Sequence, residues 1–268
     1  MTQKLPNLSG PLCCRLIGAG GVGQIVATYL VRYLRSLAVE ARLVIIDGDG
    51  FEPGNEGRMA VPNYSETKAA ALAQTLQQTC RGSTVTILAI EQYVRPDNLA
   101  RLIHGGPGES VLLCVDNHAT RKLVGDYCGQ LDDICLVSGG NDGVGPDSDG
   151  TMRNGTAGNV QVVVRRDGHA LSPGLGDLHP EIANPADSRP DDVGCAELMA
   201  SVPQILFTNL TTAAAMLNTW RLFATGDLRY SELVFDIQKG LMAPLIETDK
   251  LTAVGISDQS SVISLTDN

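Results

Sequence analysis

The sequence predicts an α/β fold: a Rossmann-like, doubly wound, mainly parallel sheet with helices on both faces and a C-terminal antiparallel extension. Three observations carry this. Strand-like and helix-like segments alternate from about residue 13 to residue 138. A loop with glycines at 18, 20, 21 and 23 joins the first strand to the first helix. Runs such as "ARLVII" are apolar without interruption, as parallel strands covered on both faces require. At 268 residues, one domain accounts for the chain, with a nucleotide-binding half over about 1–140 and a crossover loop and C-terminal half over about 141–268.

Taken in order, residues 13–17 read as a short strand, and apolar spacing predicts a helix from the glycine loop to residue 37. "ARLVIIDGD" is a second strand. "SETKAAALAQTLQQTC" is alanine-rich and helical, with Ser65 as N-cap, and "STVTILAI" follows as a third strand. "PDNLARLI" predicts a short helix, "SVLLCVD" a fourth strand, "NHATRKLVGDYCGQL" a helix and "ICLVSGG" a fifth strand. Residues 139–158 are dominated by Gly, Asp and Asn and read as a mobile loop. "NVQVVVRRDG" resumes as a strand. Residues 169–194, rich in Pro, Gly and Asp, read as a second long loop without an element of its own. The segment from 196 to 220 is helical in composition, with Pro203 breaking or kinking it. "SELVFDIQKGLMAPLIE" reads as two strands around Lys239 and Gly240, and the tail from about residue 248 reads as weakly ordered.

Composition excludes several function classes. A formal charge of −10 argues against nucleic acid and anionic membrane, both of which need clustered Lys and Arg. Seven cysteines, at 13, 14, 80, 114, 128, 135 and 195, form no Cys-x-x-Cys pair, and the four histidines complete no zinc spacing, so no structural zinc is expected. The odd, irregular cysteine set and the absence of a secretory signal in the first residues suit a reduced, cytoplasmic protein. The uncharged run at 198–220 contains Pro203, Gln204, Asn209 and Asn218, which makes it a buried or interface helix and a poor membrane span.

The chemistry concentrates at the predicted strand ends. Gly18-x-Gly20-Gly21-x-Gly23 lets the backbone approach a phosphate at a helix N-terminus; alone it does not separate NAD, FAD, S-adenosylmethionine and ATP. Asp49, at the end of the second strand, can accept hydrogen bonds from ribose hydroxyls, and Asp47 can do the same or brace the loop. Arg58 and Lys68 add two cations, more than a pyrophosphate needs, and Lys68 opens a helix against the dipole. Asp116, after the fourth strand, can hold Mg²⁺ on the phosphates or cap the next helix.

Together these residues resemble the ThiF/MoeB/HesA family, relatives of ubiquitin-activating enzymes. The resemblance rests on Gly18-x-Gly20-Gly21-x-Gly23, Asp47-Gly-Asp49, Asn55-Glu-Gly-Arg58, Lys68 and Asp116-Asn117-His-Ala-Thr-Arg121, in that order, over residues 13–124. It implies an ATP-dependent adenylyltransferase that activates the C-terminal glycine carboxylate of a small ubiquitin-like carrier as an acyl adenylate. Asp49 would bind the ribose; Asn55, Arg58 and Lys68 the phosphates; Asp116 the Mg²⁺; and Arg121 would brace the Asp116 loop. The glycines, Asp47 and Asn117 complete the implied ATP site, and a homodimer through the apolar C-terminal helix is implied as well.

This chain departs from the family pattern at Met59, where Gln is common, in a shortened stretch from 58 to 68, in lacking the zinc pairs, and in having no arginine before residue 15. The compact, zinc-less chain resembles the plasmid-associated PRTRC-system type of the family. Cys195, in the Cys-x-Glu segment after the long loop, is either a nucleophile for thioester or sulfur transfer or a structural thiol. Beside the adenylyltransferase on a protein carrier stand activation of a small-molecule or tRNA-attached carboxylate, a non-catalytic ATP-binding dimeric scaffold of the same fold, and an NAD(P)-dependent oxidoreductase.

Overall fold

The computed structural model describes residues 6, 11–37, 39–51, 55, 59, 66–146, 150–190, 192 and 204–245. Parallel strands β1 (Leu12–Ile17), β2 (Ala41–Ile46), β3 (Val85–Ile90), β4 (Glu109–Leu113) and β5 (Ile134–Asn141) stand in the order β3-β2-β1-β4-β5. Antiparallel strands β8 (Ala157–Arg166), β10 (Glu232–Asp236) and β11 (Leu241–Leu245) extend the sheet beyond β5, and β9 (His169–Ala170) pairs with β8. This is the predicted architecture, extension included. The chain order reverses between β1 and β4, and open α/β sheets bind ligands in the crevice at such a reversal.

Two apolar layers follow from the period of two along each strand. Leu16, Leu43, Ile45, Leu112 and Val137 pack on one face against α1 (Gly21–Leu37), α2 (Lys68–Thr79) and α7 (Leu206–Ala224). Ile17, Val44, Ile46, Leu113 and Leu136 pack on the other face against α3 (Leu99–Leu102), α4 (His118–Cys128), α5 (Leu175–Leu178) and α6 (Pro180–Ala183). Because alternate residues serve opposite faces, most positions in these strands are apolar, with Arg15, Arg42, Thr86 and Ser138 among the exceptions.

Four local readings are corrected. Residues 139–158 are not a structureless loop. β5 runs on to Asn141, β6 (Val144–Pro146) and β7 (Met152–Asn154) form a hairpin, and β8 begins at Ala157. Gly155 holds φ 68° between β7 and β8, and a Cβ there would run into Val144 and Ile205. The stretch after β8 carries β9, α5 and α6, each too short to show a period. α2 is capped by Thr67, whose hydroxyl accepts from the Ala70 amide; Ser65 lies outside the described residues. α4 is capped by Asn117 rather than Asp116. Pro203 and the tail after 245 also lie outside the described residues, and α7 starts at Leu206. No described helix is long and apolar enough to cross a membrane.

Candidate functional site

The glycine loop leaves β1 at the sheet's C-terminal edge. Gly18 sits at φ 90°, and a Cβ there would lie 2.9 Å from the Cys114 carbonyl; a Cβ on Gly23 would lie 1.9 Å from the Gly18 carbonyl oxygen. Both glycines are demanded by packing. Gly20 is not: its Cβ would meet nothing within 4 Å. α1 starts one residue later, and the amides of Gly21, Val22 and Gly23 have no partner within the helix, since Gln24 is the first to bond back, to the Gly20 carbonyl at 3.0 Å. The chain therefore leaves room for an anion where the helix dipole favours one.

The Asp47 carboxylate is engaged by two backbone amides. It accepts from the Ala19 amide at 2.5 Å and the Asp49 amide at 2.8 Å, which ties the glycine loop to the end of β2. Burial, followed by the neighbouring Asp49, raises its pKa, while the two amide bonds oppose that rise.

Asp49 is more open. One carboxylate oxygen pairs with the Lys68 ammonium at 3.0 Å and the other accepts from the Tyr93 hydroxyl. The Lys68 amide donates to the Asp49 carbonyl at 2.9 Å, so the β2 exit and the start of α2 are joined by backbone as well as side chain. The carboxylate offsets the unfavourable position of Lys68 at a helix N-terminus. Tyr93 was invisible in the sequence pattern, 44 residues from its partner. Gly48 is explained by the same contact, since a Cβ there would lie 2.9 Å from the Tyr93 ring.

Asn55 is 3% exposed, and its carbonyl accepts from the Met59 amide at 2.9 Å. Met59 forms a small apolar cluster with Phe51 and Ala71, which accounts for an apolar residue where the family commonly carries Gln. Arg58 and Cys195 lie outside the described residues.

On the other side of the reversal, Asp116 is exposed in the short link between β4 and α4. Asn117 spends its side-chain oxygen on the Thr120 amide at 2.8 Å. Arg121 is 6% exposed; its guanidinium donates to the carbonyls of Val115 at 2.8 Å and Gly139 at 2.9 Å and to the Ser138 hydroxyl at 3.2 Å. It ties the Asp116 link to the end of β5, as a brace would. Gly140 must lack a side chain for this, because a Cβ would fall 2.4 Å from the guanidinium. Burial is the main cause lowering the Arg121 pKa.

Two further contacts at this edge escaped the sequence. Asp187, in the long segment after α6, accepts from the His118 amide at 2.7 Å and the Ala119 amide at 2.8 Å, at the α4 N-terminus. His179 bridges Glu232 on β10 at 2.7 Å and Glu181 at 2.8 Å, and Asn159 also donates to Glu232 at 2.7 Å. Pairing with Glu232 is the leading cause raising the His179 pKa. For Glu232, burial pushes upward, but the bonds from His179 and Asn159 outweigh it and the net shift is downward.

A family model matches residues 11–219, and that model is the ThiF family. The chain belongs to the ThiF family. Ubiquitin-like modifier-activating enzyme 5 of Rattus norvegicus is 24% identical over 159 residues, 56% of this chain and 36% of that protein. The same enzyme of Bombyx mori is 30% identical over 135 residues, 46% of this chain and 33% of that protein. This ThiF-family chain thus spans about a third of the length of these relatives. Among solved structures, PaaA superposes with a TM-score of 0.61 at 15% identity, covering 88% of this chain and 72% of its own. E. coli MccB solved with ATP gives 0.60 at 12% identity, covering 92% of this chain and 65% of its own. These likenesses are to the fold.

The site suits ATP. Open space over Gly20, a cation at Lys68 and a carboxylate at Asp49 offer groups for phosphates and for ribose. Among the described residues no group of three or more His, Cys, Asp and Glu could hold a metal ion. The exposed carboxylate of Asp116 is the residue that could hold a Mg²⁺ brought in by phosphates, for which one or two carboxylates suffice.

Proposed function

We propose that this ThiF-family chain condenses ATP with the C-terminal carboxylate of a small protein, forming an acyl adenylate and releasing pyrophosphate. The observation that carries the reading is the convergence of Gly20, the Asp49–Lys68 pair and Asp116 on the crevice where β1 and β4 diverge. A carboxylate is already ionised at neutral pH, so the reaction calls for fixed cations around the α-phosphate and pyrophosphate rather than for a general base. In this reading Lys68 and Arg58 neutralise the phosphates, Asn55 positions them, Asp116 holds Mg²⁺, and Asp49 takes the ribose. Asp47, Asn117 and Arg121 hold the loops that present these groups. The name of the activating-enzyme relatives points to a ubiquitin-like carrier, here one ending in glycine. A homodimer in the cytoplasm, residues 1–268 acting as one adenylation domain, and thioester formation on Cys195 belong to the same proposal.

The test is ATP–pyrophosphate exchange in the presence of a Gly-terminated ubiquitin-like protein. Exchange that depends on the carrier is expected, with Lys68→Ala and Asp116→Ala each reducing it by about 100-fold or more. Full exchange by either variant overturns the residue roles. Tight ATP binding without exchange on any carrier replaces the enzyme with a scaffold.

A further inference from the structure

The loop that leaves β3 lies against the loop that leaves β2, and Tyr93 joins them. Its hydroxyl donates to one oxygen of the Asp49 carboxylate, while the other oxygen faces Lys68. The tyrosine is fixed from several sides. Gly48 leaves it room, since a Cβ there would come 2.9 Å from both the Tyr93 ring and the Tyr93 nitrogen. Buried Asn98 donates its side-chain amide to the Tyr93 carbonyl at 2.9 Å and accepts from the Arg95 amide at 2.8 Å. Val94, the next residue, belongs to the same buried apolar cluster as Ile46, Leu99 and Leu102. Yet the Asp49 side chain that all this serves is 43% exposed. A carboxylate in reach of water gains little stability from one more hydrogen bond, so stability does not account for so firm a mount. What the mount supplies is direction. The terminal torsion of an aspartate is broad, and a bond to one oxygen narrows it, so that the carboxylate faces the crevice at a set angle.

We propose that Tyr93 is a positioning residue for the sugar: by holding the Asp49 carboxylate still, it makes the crevice favour a ribose over a sugar without hydroxyls. This rests on the reading of Asp49 as the ribose contact. An ionised carboxylate is an acceptor only, with room for two hydroxyl donors beside the partners it already has. A carboxylate free to turn finds water when a hydroxyl is missing, and discriminates weakly. One that is held in place is left unpaired against the wrong sugar, and a site built to bond a hydroxyl rejects the analogue that lacks it. Fixing the acceptor before the ligand arrives also removes part of the ordering cost of binding.

The experiment measures binding of Mg-ATP and of Mg-2′,3′-dideoxyATP to the full chain by calorimetry, in the parent, Tyr93→Phe, Asp49→Ala and the double variant. The parent is expected to prefer ATP by at least about tenfold. Tyr93→Phe keeps the ring against Gly48 and removes only the hydroxyl. It is expected to narrow the preference to about twofold, by weakening ATP and leaving the dideoxy compound unchanged. Asp49→Ala is expected to abolish the preference, and Tyr93→Phe added to it to change nothing further, as two residues acting through one contact require. A tyrosine that only supports the loop would weaken both nucleotides alike, and that result overturns the proposal. So does a parent-like preference in Tyr93→Phe, which leaves Asp49 as the ribose contact. A parent that binds both nucleotides equally removes the ribose role of Asp49 and that of Tyr93 with it, while ATP binding stands. A parent that binds neither overturns the nucleotide reading as well.

Discussion

Gly20 and Gly23 lie three residues apart in one loop and answer to different neighbours. Gly23 is fixed by the Gly18 carbonyl, where a methyl group has no room, whereas Gly20 faces open space. The two therefore separate under mutation. Gly20→Ala is expected to leave thermal stability within about 0.5 kcal/mol of the parent, as a surface change does, while weakening ATP binding measured by calorimetry. Gly23→Ala is expected to lower the unfolding midpoint through a backbone clash, whatever the nucleotide concentration. Unchanged ATP affinity in a well-folded Gly20→Ala chain would remove the glycine loop from the binding site. At this scale the sequence was readable for the residues themselves but not for the division of labour among them. Asp47 and Asp49 share a motif, yet one is consumed by two backbone amides and the other faces a lysine. Met59 was a departure without a reason until Phe51 and Ala71 appeared beside it.

Among the elements, α4 shows how a distant segment secures the site. Its N-terminus carries Asn117 as cap and receives Asp187 from 69 residues away on the His118 amide. An aspartate on free helix amides contributes about 1 kcal/mol, so Asp187→Ala is expected to cost roughly that much in denaturant unfolding. The same variant should speed hydrogen exchange at residues 118–119 and 185–190 and leave α1 untouched; uniform exchange across the chain would show that the contact is incidental. The sequence revealed strands and long helices because uninterrupted apolar runs and a 3.6-residue period leave a strong pattern. It concealed β6, β7, α5 and α6 because three or four residues cannot display a period. The contact of Asp187 with α4, like that of Tyr93 with Asp49, joins residues whose separation carries no local signal.

For the molecule as a whole, the bridge from His179 to Glu232 ties the segment after β8 to the antiparallel extension. Its pH dependence follows from two opposite shifts. The raised pKa of His179 contributes stability that is fully present below its ordinary value of 6.5 and is lost as pH rises through the folded value. The lowered pKa of Glu232 contributes stability present above its ordinary 4.5 and lost as pH falls through the folded value. The bridge is therefore strongest from about pH 4.5 to 6.5 and loosens above it. His118 acts in the other direction: burial, and then Arg121, lowers its pKa, so its penalty develops as pH falls below 6.5. A difference measurement isolates the bridge. Exchange at residues 179–183 is expected to accelerate in the parent beyond the intrinsic pH effect as pH climbs from 6.5, and His179→Gln is expected to remove that excess. Identical profiles for both chains would count against the bridge as a tether.

The ion pair between Lys68 and Asp49 bears on which nucleotides the crevice accepts. The two charges neutralise each other at 3.0 Å, and Lys68 is only 9% exposed. Adenosine would compete for Asp49 through its ribose while giving the ammonium no new counter-charge. ATP, on the proposed reading, would draw on Asp49 with its sugar and supply Lys68 with phosphate in the same act. On the proposed reading, selectivity for the triphosphate over the bare nucleoside is thus set by an internal partner that only a ligand carrying both groups can replace.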